Sequence, residues 1–366
     1  MKIPLAKIEI DVEIKNAAIS ALKSGKFILG RQTEEFEEKF AKFCNVKYAA
    51  CVSSGTAALF LSLKSLGLKK GDEVIVPSLS FIATVTPILM LEGIPKFVDV
   101  NKKNYTLDHN EIEKKLTKKT KGILPVHLYG HPANMNEIKK IAKDHSLFLL
   151  EDSAQAHGAK YHGKMVGSLG NAACFSFYPS KNLTVCGDGG IVTSNNEKII
   201  QNVKILRDHG RNEKYLHKFL GYNLRFNEIQ SSIGKVMLKR LRKGNENRRK
   251  IARTYYSELN DAIIRPQEEK WAKHVYHMYT IRTKLRNKLQ KFLKARGIET
   301  GIHYPIPIHK QPILNKYKNQ RLPITEEICS TTLSIPMFPS LTQTQQKYVI
   351  NSINQFVKNN ISHGKN

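Results

Sequence analysis

Lys181 is the residue whose surroundings most strongly suggest chemistry. The preceding segment, residues 173–177, is apolar or aromatic apart from one serine, which predicts a short buried strand. No acidic residue lies within six positions of Lys181 on either side. Desolvation at the end of such a strand favours the neutral, nucleophilic amine, and the glycine-rich loop 187–190 can approach a ligand closely. A surface lysine in a strand-to-loop connection is the alternative that this stretch alone leaves open.

A second candidate for chemistry is Asp152, which follows the apolar run 147–150. Four apolar residues in a row predict a strand that is buried on both faces of a parallel sheet. Ligands of open α/β sheets gather at the carboxyl ends of the strands. A carboxylate there suits a cation such as the pyridinium nitrogen of pyridoxal phosphate. An aspartate that only caps a turn is the alternative.

A third candidate is the segment Ser54-Gly55-Thr56, which joins a short apolar strand to a run of helix-forming residues. Small residues at the start of a helix expose backbone N–H groups at the positive end of the helix dipole, and phosphate fits such a site. A plain serine N-cap is the alternative.

Together these stretches resemble the DegT/StrS-type sugar aminotransferases, which are pyridoxal-phosphate enzymes that mostly make amino sugars on nucleotide carriers. The matching segments span nearly the whole chain in the family's order. They are Ser54 to Leu59, Pro77 to Thr84, Glu151 to Gly158, Phe175 to Lys181, Gly187 to Gly190, Gly221 to Arg225 and His303 to Pro305.

The resemblance implies a role for each residue that matches a contact to the cofactor ring. Lys181 is expected to form the Schiff base with pyridoxal phosphate and then to move the proton, and Asp152 is expected to pair with the pyridinium nitrogen. Phe81 is expected to stack on the ring, and Gln155 to contact the ring hydroxyl.

The resemblance also implies contacts to the cofactor phosphate. Gly55, Thr56 and Ser176 match phosphate contacts within one subunit. Asn223 matches a phosphate contact that the other subunit supplies, which implies a homodimer with shared active sites.

The implied substrate is a keto sugar on a nucleoside diphosphate, aminated at C3 or C4 with glutamate as donor, for a polysaccharide or glycan precursor. The tripeptide Gly187-Asp188-Gly189 resembles members that act on 3-keto sugars. Tyr304 and His309, in a proline-rich extended segment, are candidate substrate contacts. Their alternative is a half-buried tyrosine and a surface histidine. A cyclitol (inosose) transaminase would share every motif and stays open.

Alternation of helix and strand from about residue 33 is the pattern that must position these residues. It predicts an α/β fold with a large, mostly parallel sheet and helices on both faces. The resemblance implies fold type I, like aspartate aminotransferase, with a cofactor-binding domain at 1–245 and a smaller C-terminal α+β domain at 246–366. The predicted strands are 47–53, 73–77, 95–99, 121–126, 147–151, 173–177 and 190–194; the predicted helices are 56–68, 82–92, 108–117, 134–145, 195–207 and 226–256.

The C-terminal part has its own pattern. A strand is predicted at 277–282, a helix with leucines on one face follows it, and a second strand is predicted at 298–304. Thr342-x-x-Gln345 predicts a capping box at the start of the last helix. The polar tail 362–366 is expected to fray.

Charge and cysteine content limit the possible functions. The chain has 59 lysines and arginines against 31 acidic residues, a net charge of +28, which makes a DNA-binding regulator the main rival class. The basic residues are scattered in pairs, with no zinc spacing, so we expect neither nucleic acid nor metal as a partner. Five cysteines without paired spacing, no signal-peptide core and no apolar run of membrane length predict a cytoplasmic protein. Cys174 and Cys186, which flank the lysine segment, are expected to be small buried residues.

Overall fold

A central seven-stranded sheet organises the molecule, for which we have a computed structural model that describes residues 1–361 and their side chains to residue 360. The tail that was predicted to fray, 362–366, lies outside the described residues. The strands of the sheet, in chain order, are β1 (Tyr48–Val52), β2 (Glu73–Pro77), β3 (Ile94–Val98), β4 (Thr120–Ile123), β5 (Phe148–Asp152), β8 (Ala172–Ser176) and β9 (Gly190–Ser194). The short strands β6 (Lys160–Tyr161) and β7 (Lys164–Met165) form a small hairpin between β5 and β8.

The strand order is β1-β9-β8-β5-β4-β2-β3. Neighbours from β8 through β3 are parallel, and β9 is antiparallel to both of its neighbours. Each of the seven strands has at least one end within two residues of its predicted end. The agreement arises because the strands of a buried parallel sheet are continuous apolar runs, which are easily recognised. The predicted mostly parallel α/β fold is confirmed.

Helices cover both faces of this sheet. Those in this part of the chain are α1 (Val12–Lys23), α2 (Arg31–Cys44), α3 (Gly55–Ser65), α4 (Thr86–Met90), α5 (Met135–Asp144), α6 (Glu197–Arg207) and the 31-residue α7 (Glu228–Glu258). Strand β8 shows the two-sided burial directly. Ala173 and Phe175 pack with Phe36 and Phe40 of α2, whereas Ala172 and Cys174 pack in the cluster that contains α3.

The C-terminal part forms a smaller unit around a two-stranded antiparallel sheet. After the hairpin β10 (Arg211–Glu213) and β11 (Leu216–His217) and after α7, the elements are β12 (Ala272–Lys273), β13 (Tyr279–Arg282), α8 (Arg286–Ala295), α9 (Pro323–Thr331), β14 (Thr332–Ile335) and α10 (Gln343–Ile361). Strands β13 and β14 pair with each other, and α8 and α10 bury their apolar faces in the same cluster. Ile3 of the N-terminal segment belongs to this cluster. The predicted domain boundary at 245/246 lies inside α7 and stays a prediction.

Four sequence predictions can be compared with these elements: a capping box, a helix, a strand and the burial of two cysteines. The predicted capping box is confirmed, because the Gln345 backbone N–H donates to the Thr342 hydroxyl over 3.2 Å and the Thr342 N–H donates to the Gln345 side-chain carbonyl over 3.1 Å. The predicted α-helix at 108–117 is wrong. That segment forms two 3₁₀ turns, His109–Glu111 and Glu113–Lys115, because the Asp108 carboxylate binds the Asn110 N–H two residues on and favours a local turn.

The other two concern a strand and a cysteine. The predicted strand at 298–304 is wrong. Ile298 makes one bridge to Ile3 and Gly301 makes one to Ser334, so the segment changes partner before a ladder can form. Cys174 is buried as predicted, but Cys186 is exposed, since it lies in the loop after the lysine rather than in a strand.

Candidate active site

One cleft collects eight of the ten predicted site residues. Its lining includes Gly55, Thr56, Phe81, Asp152, Gln155, Ser176, Lys181 and Tyr304. The parallel pairing of β5 with β8, with Asp152 opposite Cys174, brings the ends of these two strands side by side. The cleft therefore lies at the carboxyl ends of adjacent strands, where ligands of such sheets bind.

Lys181 reaches the cleft from a turn just after β8. Its backbone N–H donates to the Tyr178 carbonyl over 2.9 Å, and its side chain is half-buried. Burial lowers the pKa of the Lys181 amine to about 8, and the nearby Asp152 carboxylate opposes this only in part. The neutral, nucleophilic form of the amine is therefore more populated near neutral pH than in an ordinary lysine.

Asp152 is the last residue of β5, and its carboxyl group is buried. Oδ2 accepts a hydrogen bond from the Thr84 hydroxyl over 2.8 Å, and Oδ1 accepts one from the Ala154 N–H over 3.2 Å. Burial nevertheless raises the pKa of Asp152, against these two bonds and the charge of Lys181. No salt bridge occupies Asp152 among the described residues, so a ligand cation is the partner that would further stabilise its ionised form.

The N-terminus of α3 also lines the cleft, next to the end of β8. The Ser54 hydroxyl caps this helix by accepting from the Ala57 N–H over 3.0 Å. Gly55 and Thr56 are its first two residues, whose N–H groups have no acceptor within a helix. A Cβ atom on Gly55 would lie 2.7 Å from the Cβ of Ser176, so glycine is required for the two segments to approach. This arrangement can hold a phosphate.

Aromatic and amide side chains close the remaining side. Phe81 is 55% exposed although it is apolar, and its ring lies 5.9 Å from that of Tyr304. The Gln155 side-chain carbonyl accepts from the Tyr129 backbone N–H over 2.7 Å, and its amide donates to the Tyr304 hydroxyl over 3.0 Å. Burial raises the pKa of Tyr304, so its hydroxyl stays protonated and can donate to a ligand.

The structure does not bring His309 or Asn223 into this cleft. His309 is fully buried, with its Nδ1 2.6 Å from the Ser78 hydroxyl and its Nε2 3.5 Å from Glu326. It was expected to contact the substrate, but it lies in the interior, where it contacts Ser78 directly after β2. Asn223 is exposed, and its role across a subunit interface stays a prediction.

Twelve further residues line the cleft; Ser54 and Asp188 were part of motifs named above, whereas the other ten were not proposed as site residues. The twelve are Ser54, Leu59, Ser80, Ala83, Thr84, Val126, Ala154, Tyr178, Ser180, Asp188, Met278 and His303. Ser80 and Thr84 lie in the segment that carries the family resemblance, so that segment was a signal for them. Met278 and His303 come from the C-terminal unit. His303 lies in the family-matching segment 303–305, whereas nothing in the local pattern around Met278 indicates the cleft.

The groups in the cleft fit pyridoxal phosphate. The Lys181 amine, whose pKa is lowered, matches the aldehyde, and the Asp152 carboxylate, which has no salt bridge among the described residues, matches the ring nitrogen. The exposed face of Phe81 matches the ring, and the free N–H groups at the start of α3 match the phosphate. Among residues 1–361, no group of three or more histidine, cysteine, aspartate or glutamate side chains is placed to hold a metal ion. No helix in that range is long and apolar enough to span a membrane.

Comparison with known proteins gives one consistent family. The model of the DegT/DnrJ/EryC1/StrS aminotransferase family matches residues 8–354. A "pleiotropic regulatory protein" of Geobacillus stearothermophilus is 40% identical over 356 residues, covering 96% of each chain. A dTDP-3-amino-3,6-dideoxy-alpha-D-galactopyranose transaminase of Aneurinibacillus thermoaerophilus is 40% identical over 94% of this chain and 95% of that protein. The crystal structure of S. venezuelae DesV in complex with a ketimine intermediate superposes with a TM-score of 0.95, at 37% identity, over 98% of this chain and 99% of that one.

Proposed function

This chain belongs to the DegT/DnrJ/EryC1/StrS aminotransferase family, and from that premise we propose that its cleft converts a keto sugar on a nucleoside diphosphate to the amino sugar. Its cofactor is pyridoxal phosphate, and its fold is that of the pyridoxal-phosphate aminotransferases. The observation that carries the proposal is the convergence of Lys181, Asp152 and the N-terminus of α3 on one cleft.

The chain's own residues have separate tasks in this reaction. When bound, pyridoxal phosphate supplies an electron sink for the carbon that loses its proton. Lys181 would hold the cofactor through Nζ, and the same amine, when free, would accept and return the proton. Asp152 holds the proton on the ring nitrogen. Tyr304 and Gln155, which are hydrogen-bonded to each other, fix the position of the ring and substrate.

Lys181 as the anchor can be tested by trapping. Borohydride reduction of the purified holoenzyme, followed by peptide mapping, should place the pyridoxyl group on Lys181. The Lys181→Ala variant should carry no label, whereas Lys164→Ala, which changes an exposed lysine in β7, should be labelled as wild type. Label on a different lysine in the wild type would overturn the assignment.

For the substrate, we infer a 3-keto nucleotide sugar with glutamate as donor. The relative from Aneurinibacillus is named for a dTDP-linked 3-amino sugar, and Asp188 of the Gly-Asp-Gly tripeptide lies in the cleft lining. The net charge of +28 supports an anionic substrate. A panel of 3-keto and 4-keto nucleotide sugars, assayed with glutamate, tests this. Turnover of 4-keto sugars alone would contradict amination at C3.

The substrate panel and the colour of the purified protein distinguish two rival functions from the proposed one. Turnover of uncharged inosose, without turnover of any nucleotide sugar, would favour the cyclitol transaminase. A relative is named a pleiotropic regulatory protein, and a regulator would be colourless and bind DNA with affinity that falls as salt rises. A yellow protein whose colour is lost on reduction supports the enzyme.

Two further properties belong to the proposal. A homodimer is supported by exposed apolar side chains in residues 8–28 and 215–220, and Asn223, just beyond the second group, is expected to reach the partner's cofactor phosphate. A cytoplasmic location is supported by the five free cysteines.

A further inference from the structure

The carboxylate of Asp152 is held by a short series of hydrogen bonds from two hydroxyl side chains in the segment after β2, two strands away in the sheet. Thr84 Oγ1 lies 2.8 Å from Asp152 Oδ2, and Ser80 Oγ lies 2.8 Å from Thr84 Oγ1. All three side chains are buried, with Thr84 only 1% exposed. Burial makes each of these bonds costly to leave unmade.

Which hydroxyl group donates and which accepts in these hydrogen bonds depends on whether Asp152 is ionised. An ionised carboxylate only accepts, so Thr84 must donate its hydroxyl proton to Asp152. The lone pairs of Thr84 are then free to accept from Ser80. The second carboxylate oxygen accepts from the Ala154 N–H. Both bonds to Asp152 therefore stabilise the anion and oppose the effect of burial on its pKa.

The same short segment also presents the ring-stacking residue. This segment follows β2 and contains the 3₁₀ turn Ile82–Thr84. Thr84 is the last residue of the turn, and Ser80 and Phe81 are the two residues before the turn. Phe81 lines the cleft from this segment, while Thr84 holds Asp152 on β5. One rigid turn thereby fixes the aromatic face and the carboxylate relative to each other.

We propose that Thr84, oriented by Ser80, is a positioning residue that keeps the Asp152 carboxylate ionised and directed into the cleft. The inference rests on the proposed function for its catalytic meaning, since an ionised Asp152 is what a protonated ring nitrogen requires. Its structural part concerns only the ionisation of Asp152 and can be measured without cofactor.

Other charged and titratable groups also face Asp152. Lys181 faces it from the turn after β8 and His127 from the segment after β4, and Cys174 and Tyr304 lie within electrostatic range. Variants at Thr84 leave all four in place. A change in the Asp152 titration in such variants therefore reports the loss of the hydroxyl group.

The test compares Thr84→Val, which keeps the shape but removes the hydroxyl, with Thr84→Ser, which keeps the hydroxyl. The carboxyl ¹³C resonance of Asp152, assigned by its absence in Asp152→Asn, is titrated in the cofactor-free protein. We expect the midpoint to rise by about one pH unit in Thr84→Val and to return close to the wild-type value in Thr84→Ser. Ser80→Ala should give a smaller rise and covers the case in which Thr84→Val does not fold.

The holoenzyme gives the second readout. Thr84→Val should lower kcat about 10- to 100-fold with little change in the KM of the sugar, and Thr84→Ser should restore most of the loss. Thr86→Val, the same change at a half-buried threonine that does not line the cleft, is the matched control and should behave as wild type.

The outcomes separate this inference from the proposed function. An unchanged Asp152 titration in both Thr84→Val and Ser80→Ala would overturn the positioning role, whether or not the protein is an aminotransferase. A wild-type protein that fails to bind pyridoxal phosphate would overturn the proposed function, while the titration would still decide the role of Thr84.

Discussion

At the scale of single residues, the candidate active site has two groups whose pKa values are shifted in opposite directions. Burial favours the neutral form of both Lys181 and Asp152. For Lys181 this produces a nucleophile. For Asp152, burial disfavours the ionised form that the proposed reaction needs, and the hydrogen bond from Thr84 together with a bound pyridinium cation would offset this effect. The two groups therefore need different support from the protein, although they lie in the same cleft.

The shifted pKa of Lys181 predicts how cofactor binding depends on pH. The neutral amine attacks the aldehyde, so the rate of association of pyridoxal phosphate with the cofactor-free protein should rise as the pH passes about 8 and level off above it. Stopped-flow absorbance measures this rate, and Lys181→Ala should show no absorbance change. A midpoint near the ordinary lysine value of 10.5 would contradict the desolvated environment.

Asp152→Asn should separate binding from catalysis. The amide cannot stabilise a proton on the ring nitrogen, so kcat should fall by about 1000-fold, or about 4 kcal/mol at roughly 1.4 kcal/mol per tenfold. Cofactor should stay bound, as absorbance and equilibrium dialysis can show. Asp144→Asn, which changes an exposed residue at the end of α5, is the control. Near-normal turnover of Asp152→Asn would exclude an electronic role.

At the scale of elements, Glu228 links the start of α7 to the start of α2. Its carboxylate accepts from the Gly30, Gln32 and Thr33 backbone N–H groups over 2.9, 2.8 and 3.0 Å, and from the Thr33 hydroxyl over 2.5 Å. A side chain from a distant helix thus satisfies the free N-terminus of α2, which has no side-chain cap of its own. Burial acts to raise the pKa of Glu228, but these hydrogen bonds outweigh it and lower the pKa below the usual 4.5.

Glu228→Gln should therefore destabilise the fold in a pH-dependent way. The folded-state pKa is depressed, so the contribution is present above pH 4.5 and is lost as the pH falls through the folded-state value. At pH 7 the variant should lose about 2–3 kcal/mol of unfolding free energy, and the difference from wild type should shrink in acid. Urea unfolding at a fixed protein concentration measures it.

The matched control for this change is Glu38→Gln, at an exposed position in α2. It should change the unfolding free energy by less than about 0.5 kcal/mol. Equal losses in the two variants, or a loss in Glu228→Gln that does not depend on pH, would show that the carboxylate does not cap α2.

At the scale of the whole molecule, two groups of exposed apolar side chains support the proposed homodimer. The N-terminal group comprises Ile8, Ile10, Val12, Ile19, Leu22, Phe27 and Ile28, and the second comprises Tyr215, Leu216, Phe219 and Leu220. Large exposed apolar side chains are more frequent at interfaces, and a two-fold dimer is the commonest closed assembly.

Shared active sites in such a dimer predict complementation. Lys181→Ala and Asn223→Ala should each be inactive alone. After subunit exchange of an equal mixture, half of the dimers are mixed, and each has one intact site, so about a quarter of the wild-type activity should return. Heterodimers isolated with two affinity tags measure this directly. No recovery in verified heterodimers would show that each subunit has a self-contained site.

The sequence by itself determined most of the local structure, although not the segments 108–117 and 298–304, and the chemistry that each motif offers. Apolar runs located the seven strands, and strand-end motifs located Lys181, Asp152 and the start of α3, because these features depend on neighbours along the chain. Only the tertiary structure decided which side chains meet. Thr84 and Asp152 are 68 residues apart, His309 is buried against Ser78 rather than in the cleft, and β14 pairs with β13 across fifty residues. Such contacts depend on how elements pack in space, and local periodicity contains no record of that packing.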